Sequence, residues 1–309
     1  MSLYCFLCRE GVVLLREVPC VEGEVGRVAE RIAPVMHTIY GTLFDVKAQA
    51  DPINIAYSQY ALELHQDLAY YESPPGIQLL HCMQFEESIR GGDSTFIDAM
   101  HVAEELRGVC PDAFRVLATV PATFQKVHYA RETPVHMVYQ RPHIATASVD
   151  RMMQPLPANQ YGAVTAVSWA PIFEGPLAVH PSVVEAYYDA YVAFSRLIKA
   201  REQSPNVGSA SSGSFVQLRM EAGDMVVFNN RRMLHGRRAF GKMEAAEAAT
   251  GRHLQGCYLN IDEYKSALSV LSAKSALSAS GGNPNSALSH MEPAAHDVVL
   301  KRVGNQCMT

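Results

Sequence analysis

Two histidines and one aspartate provide side chains that could bind a metal ion. His65 and Asp67 stand two positions apart in "LELHQDLAYY", and His235 follows much later in "NNRRMLHGRRAF". Two imidazoles and one carboxylate suit a divalent first-row metal, and when they share one face of the ion they leave three coordination positions open. This ligand set is typical of non-haem Fe(II) oxygenases.

The spacing alone leaves a second interpretation open. The chain has 12 histidines, so an H-x-D or H-x-E pair is expected by chance, and His290 with Glu292 forms a second one. A histidine in a hydrogen-bonded turn would explain His65, and a buried histidine bonded to a backbone carbonyl would explain His235.

Arg252 could bind an anionic co-substrate of such a metal. It opens the β-like segment "RHLQGCYLN" (252–260), downstream of His235. A buried guanidinium holds a carboxylate through two parallel hydrogen bonds, whereas an arginine on the surface of a strand would have no such role.

Composition and charge narrow the class of protein. The 309 residues carry a net charge of -5 with a pI near 6.2, which gives no attraction to nucleic acid or an anionic membrane. No apolar stretch approaches the roughly 20 residues needed to cross a bilayer, and Arg9 and Glu10 interrupt a signal-like start. Small molecules are therefore the expected partners.

The seven scattered cysteines favour a reducing, cytoplasmic location. Cys5 and Cys8 form a C-x-x-C pair that could bind zinc, but no second pair follows at a finger-like spacing. Buried or unreactive thiols are the alternative.

The elements that must position these residues are mostly short strands. We predict strands over 11–18, 53–58, 77–82, 94–99, 122–129, 214–220, 224–230 and 252–260. We predict helices after Glu24, over 99–107 and 111–120, and from Pro181 to about Arg201. Short strands separated by turns, with few helices between them, favour a mainly β fold with flanking helices, an antiparallel barrel or jelly roll.

Residues 214–230 should form two strands joined by a tight turn at Ala222-Gly223-Asp224. The stretch "EQSPNVGSASSGSF" is predicted to be a flexible insert. After residue 264 the chain repeats "SALS" three times, so we expect a catalytic domain over 1–264 and a weakly ordered tail over 265–309.

Five motifs in order carry a family resemblance. "DPINIAYS", "LHQDLAYYESPPGIQLLHC", "GGDSTFIDA", "NNRRMLHGRRAF" and "GRHLQGCYL" resemble those of the gamma-butyrobetaine hydroxylase and trimethyllysine dioxygenase family, from about Gly11 to Asp262. The resemblance implies a double-stranded β-helix fold without the N-terminal zinc domain of many relatives. It also implies an Fe(II)- and 2-oxoglutarate-dependent oxygenase that uses O2, with ascorbate as reductant, and it is compatible with a homodimer.

The resemblance assigns a role to each matching residue. His65, Asp67 and His235 would bind Fe(II), and Arg252 and Ser94 would bind 2-oxoglutarate. A quaternary ammonium cannot donate a hydrogen bond, so aromatic faces must recognise it. The matching cage positions are Tyr40, Phe44, Tyr57 and Tyr258, with Asn54 as a polar pocket residue.

The expected reaction is hydroxylation of gamma-butyrobetaine to L-carnitine, with trimethyllysine or another quaternary amine as the alternative substrate. Phe44 stands where the butyrobetaine-type pattern has tryptophan, and Ala170 and Pro171 replace an Asn-Asn pair that helps hold the substrate carboxylate. Two other classes stay open, a catalytically silent binder of quaternary amines and a zinc hydrolase with the same ligands.

Overall fold

The computed structural model describes residues 3–47, 58–150, 152–157, 160–203, 215–242 and 251–279. The strands are β1 Val12–Leu15, β2 Phe44–Lys47, β3 Leu62–His65, β4 Ile77–Phe85, β5 Ile89–Gly91, β6 Ser94–Asp98, β7 Pro121–His128, β8 Val135–Pro142, β9 Ile144–Thr146, β10 Val164–Val167, β11 Val216–Leu218, β12 Met225–Asn229, β13 Met233–Arg237, β14 Phe240–Lys242 and β15 Arg252–Leu259. The helices are α1 Leu3–Glu10, α2 Glu24–Glu30, α3 Ala99–Val109, α4 Pro111–Thr119, α5 Val184–Gln203 and α6 Ile261–Ala279, and short 3-10 turns cover Pro171–Phe173 and Pro181–Val183.

Two antiparallel sheets form the centre of the fold. The larger has the strand order β1-β12-β4-β15-β2, and the smaller has the order β11-β6-β13-β3. Apolar side chains from both sheets pack between them in one cluster, in which the rings of Phe96 and Phe228 lie 5.2 Å apart. The two sheets therefore face each other.

Side chains alternate between the two faces of the larger sheet, as a period of two residues requires. Leu80, Val226 and Leu254 point toward the smaller sheet. Their neighbours in sequence, such as Leu79 and Val227, point the other way and are covered by α1, α2 and α6. Burial on both faces makes these central strands almost continuously apolar.

Helices α3, α4 and α5 cover the outer face of the smaller sheet. The first of them begins at Asp98, whose carboxylate accepts hydrogen bonds from the backbone N–H groups of Met100 and His101. The buried guanidinium of Arg232 donates two hydrogen bonds to the other oxygen of Asp98, at 3.0 and 2.7 Å. A buried ion pair thus joins the residue before β13 to the N-terminus of α3.

The prediction of mostly antiparallel strands with flanking helices is confirmed. The tight turn before Asp224 is present, with Gly223 at φ 91°. Strand β11 pairs with β6 and β12 pairs with β1 and β4, so this turn carries the chain from one sheet to the other. Residues 53–57 of the strand predicted over 53–58 lie outside the described residues, and Ser58 is part of a bend.

The weakly ordered tail predicted from residue 265 is corrected for residues 265–279. These residues continue helix α6, and Tyr264, Leu268 and Ala273 are buried. Tyr264 also stacks on Tyr4 of α1, with ring centroids 5.5 Å apart. The low-complexity composition concealed an apolar helical face that packs on the larger sheet.

Across the described ranges, no helix combines the length and apolarity needed to cross a membrane.

Candidate active site

The three predicted metal ligands lie together between the sheets. His65 is the last residue of β3 and is the direct cross-strand partner of His235 in β13, with ring centroids 4.4 Å apart. Asp67 follows β3, and its oxygens lie 3.4 Å from His65 Nε2 and 3.8 Å from His235 Nε2. One ligand atom from each of the three side chains lies within 4.8 Å of the others. This spacing fits a single metal ion.

Hydrogen bonding and burial prepare both imidazoles for metal binding. His65 Nδ1 lies 2.8 Å from the carbonyl oxygen of Glu63 and donates to it, so Nε2 is directed toward Asp67. Burial, with the nearby His65, lowers the pKa of His235 to about 3, so this ring is neutral.

The carboxylate of Asp67 is held in place by buried donors. Its Oδ2 accepts hydrogen bonds from Gln78 Nε2 and from the hydroxyl of Tyr258, each at 2.8 Å. Burial alone would raise the pKa of Asp67, but the hydrogen bonds and the two imidazoles outweigh burial and hold this pKa well below its usual range. Asp67 is therefore an anionic ligand.

The backbone around Asp67 is strained and clamped. Leu68 is a buried residue with φ 57°, a left-handed conformation that costs a non-glycine residue about 1 kcal/mol or more. The Asn230 side chain accepts from the N–H of Asp67 at 3.0 Å and donates to its carbonyl oxygen at 3.0 Å. Gln66 exchanges two further hydrogen bonds with the backbone of Trp169. These contacts hold the turn that directs Asp67 into the site.

The triad lies on the wall of a cleft of about 800 Å³, measured with its open mouth. The cleft is lined by Tyr40, Phe44, Val46, Leu62, His65, Asp67, Leu68, Tyr70, Gln78, Leu80, Ser94, Ile172, Phe173, His235, Gly236, Arg237, Arg252, Leu254 and Tyr258. Eight of the ten predicted site residues are in this lining. The other two, Asn54 and Tyr57, lie outside the described residues.

Arg252 is a buried cation at this cleft. Only 3% of the residue is exposed, and its guanidinium lies 5.5 Å from the ring centroids of Phe85 and Phe240. Among the described residues no carboxylate forms an ion pair with it, and its Nε has no hydrogen-bond partner there. Burial lowers the pKa of Arg252 to about 10, which still leaves it charged. A buried charge of this kind favours binding of an anion.

Ser94 and Arg237 are cross-strand partners beside Arg252. The Ser94 hydroxyl lies 3.6 Å from Met220 Sδ, a weak acceptor, so it can also bond to a ligand. Arg237 donates to the carbonyl oxygens of Ser58 and Tyr60, at 2.7 and 2.8 Å. Arg237 was not predicted from the sequence, although it lies two residues after the metal-ligand candidate His235 on the same strand.

An aromatic wall lies on the same cleft. The ring of Phe44 stacks on Tyr258 with centroids 4.9 Å apart and lies 6.4 Å from Tyr40. Tyr70 and Phe173 also belong to this wall and were not predicted from the sequence. The hydroxyl of Tyr70 lies 3.4 Å from that of Tyr40, and the ring of Phe173 meets that of Tyr70 edge to face. Phe173 belongs to the segment that stands where the butyrobetaine-type pattern has its Asn-Asn pair. This segment therefore contributes an aromatic ring to the cleft in place of those polar side chains.

Comparison with known proteins identifies the family. The model of the "Taurine catabolism dioxygenase TauD, TfdA family" matches residues 5–258. The chain belongs to the TauD/TfdA dioxygenase family. This match spans both sheets and includes all three residues of the candidate metal site.

Curated relatives and solved structures agree with this assignment. Dioxygenase str8 of Strobilurus tenacellus is 32% identical over 263 residues, which cover 82% of this chain and 55% of the relative. Gamma-butyrobetaine dioxygenase of Pseudomonas sp. (strain AK-1) is 33% identical over 261 residues, covering 84% and 59%. The chain thus spans between half and two thirds of the length of these relatives. The resemblance predicted from the ordered motifs is confirmed.

The fold also matches a solved oxygenase structure. The non-heme iron oxygenase OrfP, solved in complex with Fe and alpha-ketoglutaric acid, superposes with a TM-score of 0.54 over 83% of this chain and 77% of OrfP. Its sequence identity is 12%, so the likeness concerns the fold alone.

Proposed function

We propose that this chain catalyses Fe(II)- and 2-oxoglutarate-dependent hydroxylation of a small quaternary amine. One observation carries the proposal. A histidine-aspartate-histidine cluster, a buried arginine and an aromatic wall line one cleft. These are the three kinds of group needed to bind a metal, a dicarboxylate and an organic cation. We also infer that the two facing sheets form the double-stranded β-helix expected for this family.

His65, Asp67 and His235 would hold Fe(II). The bound iron would supply the activation of O2, coupled to the decarboxylation of 2-oxoglutarate to succinate and CO2. The chain would supply two imidazole nitrogens and one carboxylate to the ion. Burial of the two histidines limits the access of water to the reacting atoms.

Arg252 would pair with the distal carboxylate of 2-oxoglutarate. Its charge is buried beneath the cleft and has no carboxylate partner among the described residues, so a ligand carboxylate would replace its lost hydration. Ser94 would add one hydrogen bond to the same carboxylate, because its hydroxyl has only a weak acceptor nearby.

Tyr40, Phe44 and Tyr258 would form the cage for the trimethylammonium group, together with Tyr70 and Phe173. The negative faces of these rings attract a cation that cannot donate a hydrogen bond. We infer gamma-butyrobetaine as the substrate and L-carnitine as the product. The butyrobetaine-type relative at 33% identity and the aromatic residue at each cage position support this choice. In this proposal Asn54 and Tyr57 complete the pocket.

The test is succinate release under air with Fe(II), 2-oxoglutarate and ascorbate, comparing gamma-butyrobetaine, trimethyllysine and no amine. We expect succinate to depend on gamma-butyrobetaine. Dependence on trimethyllysine alone would reassign the substrate, and an Asp67→Ala variant controls for metal-independent background. Amine binding without succinate from any amine would indicate a silent binder. Hydrolytic activity that needs neither 2-oxoglutarate nor O2 would indicate a zinc hydrolase.

A further inference from the structure

Two donors from neighbouring strands converge on one oxygen of the candidate metal-binding carboxylate. Gln78 in β4 and Tyr258 in β15 are direct cross-strand partners, and both side chains are buried. Each donates a 2.8 Å hydrogen bond to Oδ2 of Asp67. Because a carboxylate oxygen offers about two lone-pair directions, these two bonds occupy those of Oδ2.

The other carboxylate oxygen of Asp67 faces the imidazole of His65. Oδ1 of Asp67 lies 3.4 Å from His65 Nε2, which is directed toward it because Nδ1 donates to Glu63. An ionised carboxylate can only accept hydrogen bonds, so Gln78 must present its amide nitrogen to Asp67. The donors thus define the orientation of the carboxylate and leave Oδ1 available.

We propose that Gln78 and Tyr258 are positioning residues that make Asp67 a single-oxygen metal ligand. The inference rests on the proposed function for its metal, and it adds a second role to Tyr258. The ring of Tyr258 stacks on Phe44 at 4.9 Å in the aromatic wall, while its hydroxyl holds the carboxylate. One side chain therefore links the amine cage to the metal site.

The two roles of Tyr258 can be separated by mutation. Tyr258→Phe keeps the ring and removes the donor, so it should weaken Co(II) binding by about 10-fold or more, as loss of a hydrogen bond to a metal ligand typically does. Binding of gamma-butyrobetaine to the metal-loaded protein should change by less than about threefold, since the cage ring remains. Gln78→Leu removes the other donor, and we expect a Co(II) loss of similar size.

Tyr70→Phe is the matched control for metal binding. Tyr70 is also a buried tyrosine of the cleft, but its hydroxyl pairs with that of Tyr40 and not with Asp67. Its removal should leave the dissociation constant for Co(II) unchanged. Thermal unfolding of each metal-free variant checks the fold, and Gln78→Leu replaces Tyr258→Phe if the latter does not fold.

Titration calorimetry with Co(II) decides the inference. Equal Co(II) affinities for the parent, Tyr258→Phe and Gln78→Leu would overturn it, as would an equal loss in Tyr70→Phe. The visible spectrum of bound Co(II) should also change in a variant that carries both Tyr258→Phe and Gln78→Leu. In that variant Oδ2 of Asp67 is available to the ion and can alter its coordination geometry. If the Co(II) results hold while no amine stimulates succinate release, the positioning role stands and the proposed function fails.

Discussion

Replacement of Arg252 by methionine should weaken ligand binding at little cost to folding stability. Burial lowers the pKa of this guanidinium from 12.5 to about 10, which corresponds to about 3 kcal/mol of unfavourable free energy for the charged form. Methionine removes this cost while filling similar space. It forfeits the contacts of the cation with Phe85 and Phe240, worth about 0.5 to 2 kcal/mol each. The free energy of unfolding should therefore change by a value between about -1 and +2 kcal/mol.

Binding of 2-oxoglutarate should fall sharply in the same variant. Loss of one partner of a buried, hydrogen-bonded charge pair costs about 2 kcal/mol or more, which is at least a 30-fold weaker affinity. Calorimetry of 2-oxoglutarate binding to the Mn(II)-loaded protein measures this loss, and urea denaturation of the metal-free protein measures stability.

Arg232 provides the matched control, since it is a second buried arginine that does pair with a carboxylate. Its guanidinium donates two hydrogen bonds to Asp98. Arg232→Met should destabilise the fold by about 3 to 5 kcal/mol, because Asp98 loses its buried partner, with 2-oxoglutarate affinity unchanged. The reasoning is refuted if Arg252→Met destabilises the protein as much as Arg232→Met and keeps normal affinity for 2-oxoglutarate.

Three further variants test other parts of the cleft. In Gly256→Ala the new Cβ would lie 2.4 Å from the ring of Phe44, so the ring must move, and calorimetry should show about tenfold weaker binding of gamma-butyrobetaine; unchanged binding would argue against a cage at Phe44. Asn230→Ala removes the clamp on the backbone of Asp67 and should cost about 2 to 4 kcal/mol in urea denaturation, whereas a loss below 1 kcal/mol would show that the turn holds without it. Mn(II) at 100 times its dissociation constant should stabilise the parent by about 2.7 kcal/mol in thermal unfolding and leave His235→Ala unaffected, and equal stabilisation of both would place the ion elsewhere.

Residue type and order along the chain predicted most of the charged and potential metal-binding side chains that line the cleft, although not Arg237. Histidine, aspartate and arginine have few roles in a buried strand, so an ordered set of them indicates chemistry. The pairing of His65 with His235 could not be predicted, because it depends on which strands become neighbours. Spacing along the sequence carries no information about this contact.

The neutral amide side chains near Asp67 were not predicted, because their residue types do not indicate one particular role. Gln78 and Asn230 have many roles in proteins, and neither forms a recognisable motif with Asp67 along the chain. One signal was available, since Gln78 interrupts the apolar strand "IQLLHC" and a buried polar side chain normally has a hydrogen-bond partner. That rule predicts that a partner exists, but only the folded structure identifies the partner as Asp67 and places Tyr258 beside Gln78.

The aromatic surroundings of Arg252 show how an irregularity of the sheet creates part of the site. In β4, Gln78, Leu80 and Cys82 alternate toward the cleft, and simple alternation would turn Phe85 away from it. The register between β15 and β4 shifts at His253/Leu254, which inserts one extra residue in β4 and brings Phe85 opposite Arg252. The ring consequently lies 5.5 Å from the guanidinium. A pattern of period two cannot predict such a bulge, so the sequence identified the arginine but not the aromatic ring that packs against it.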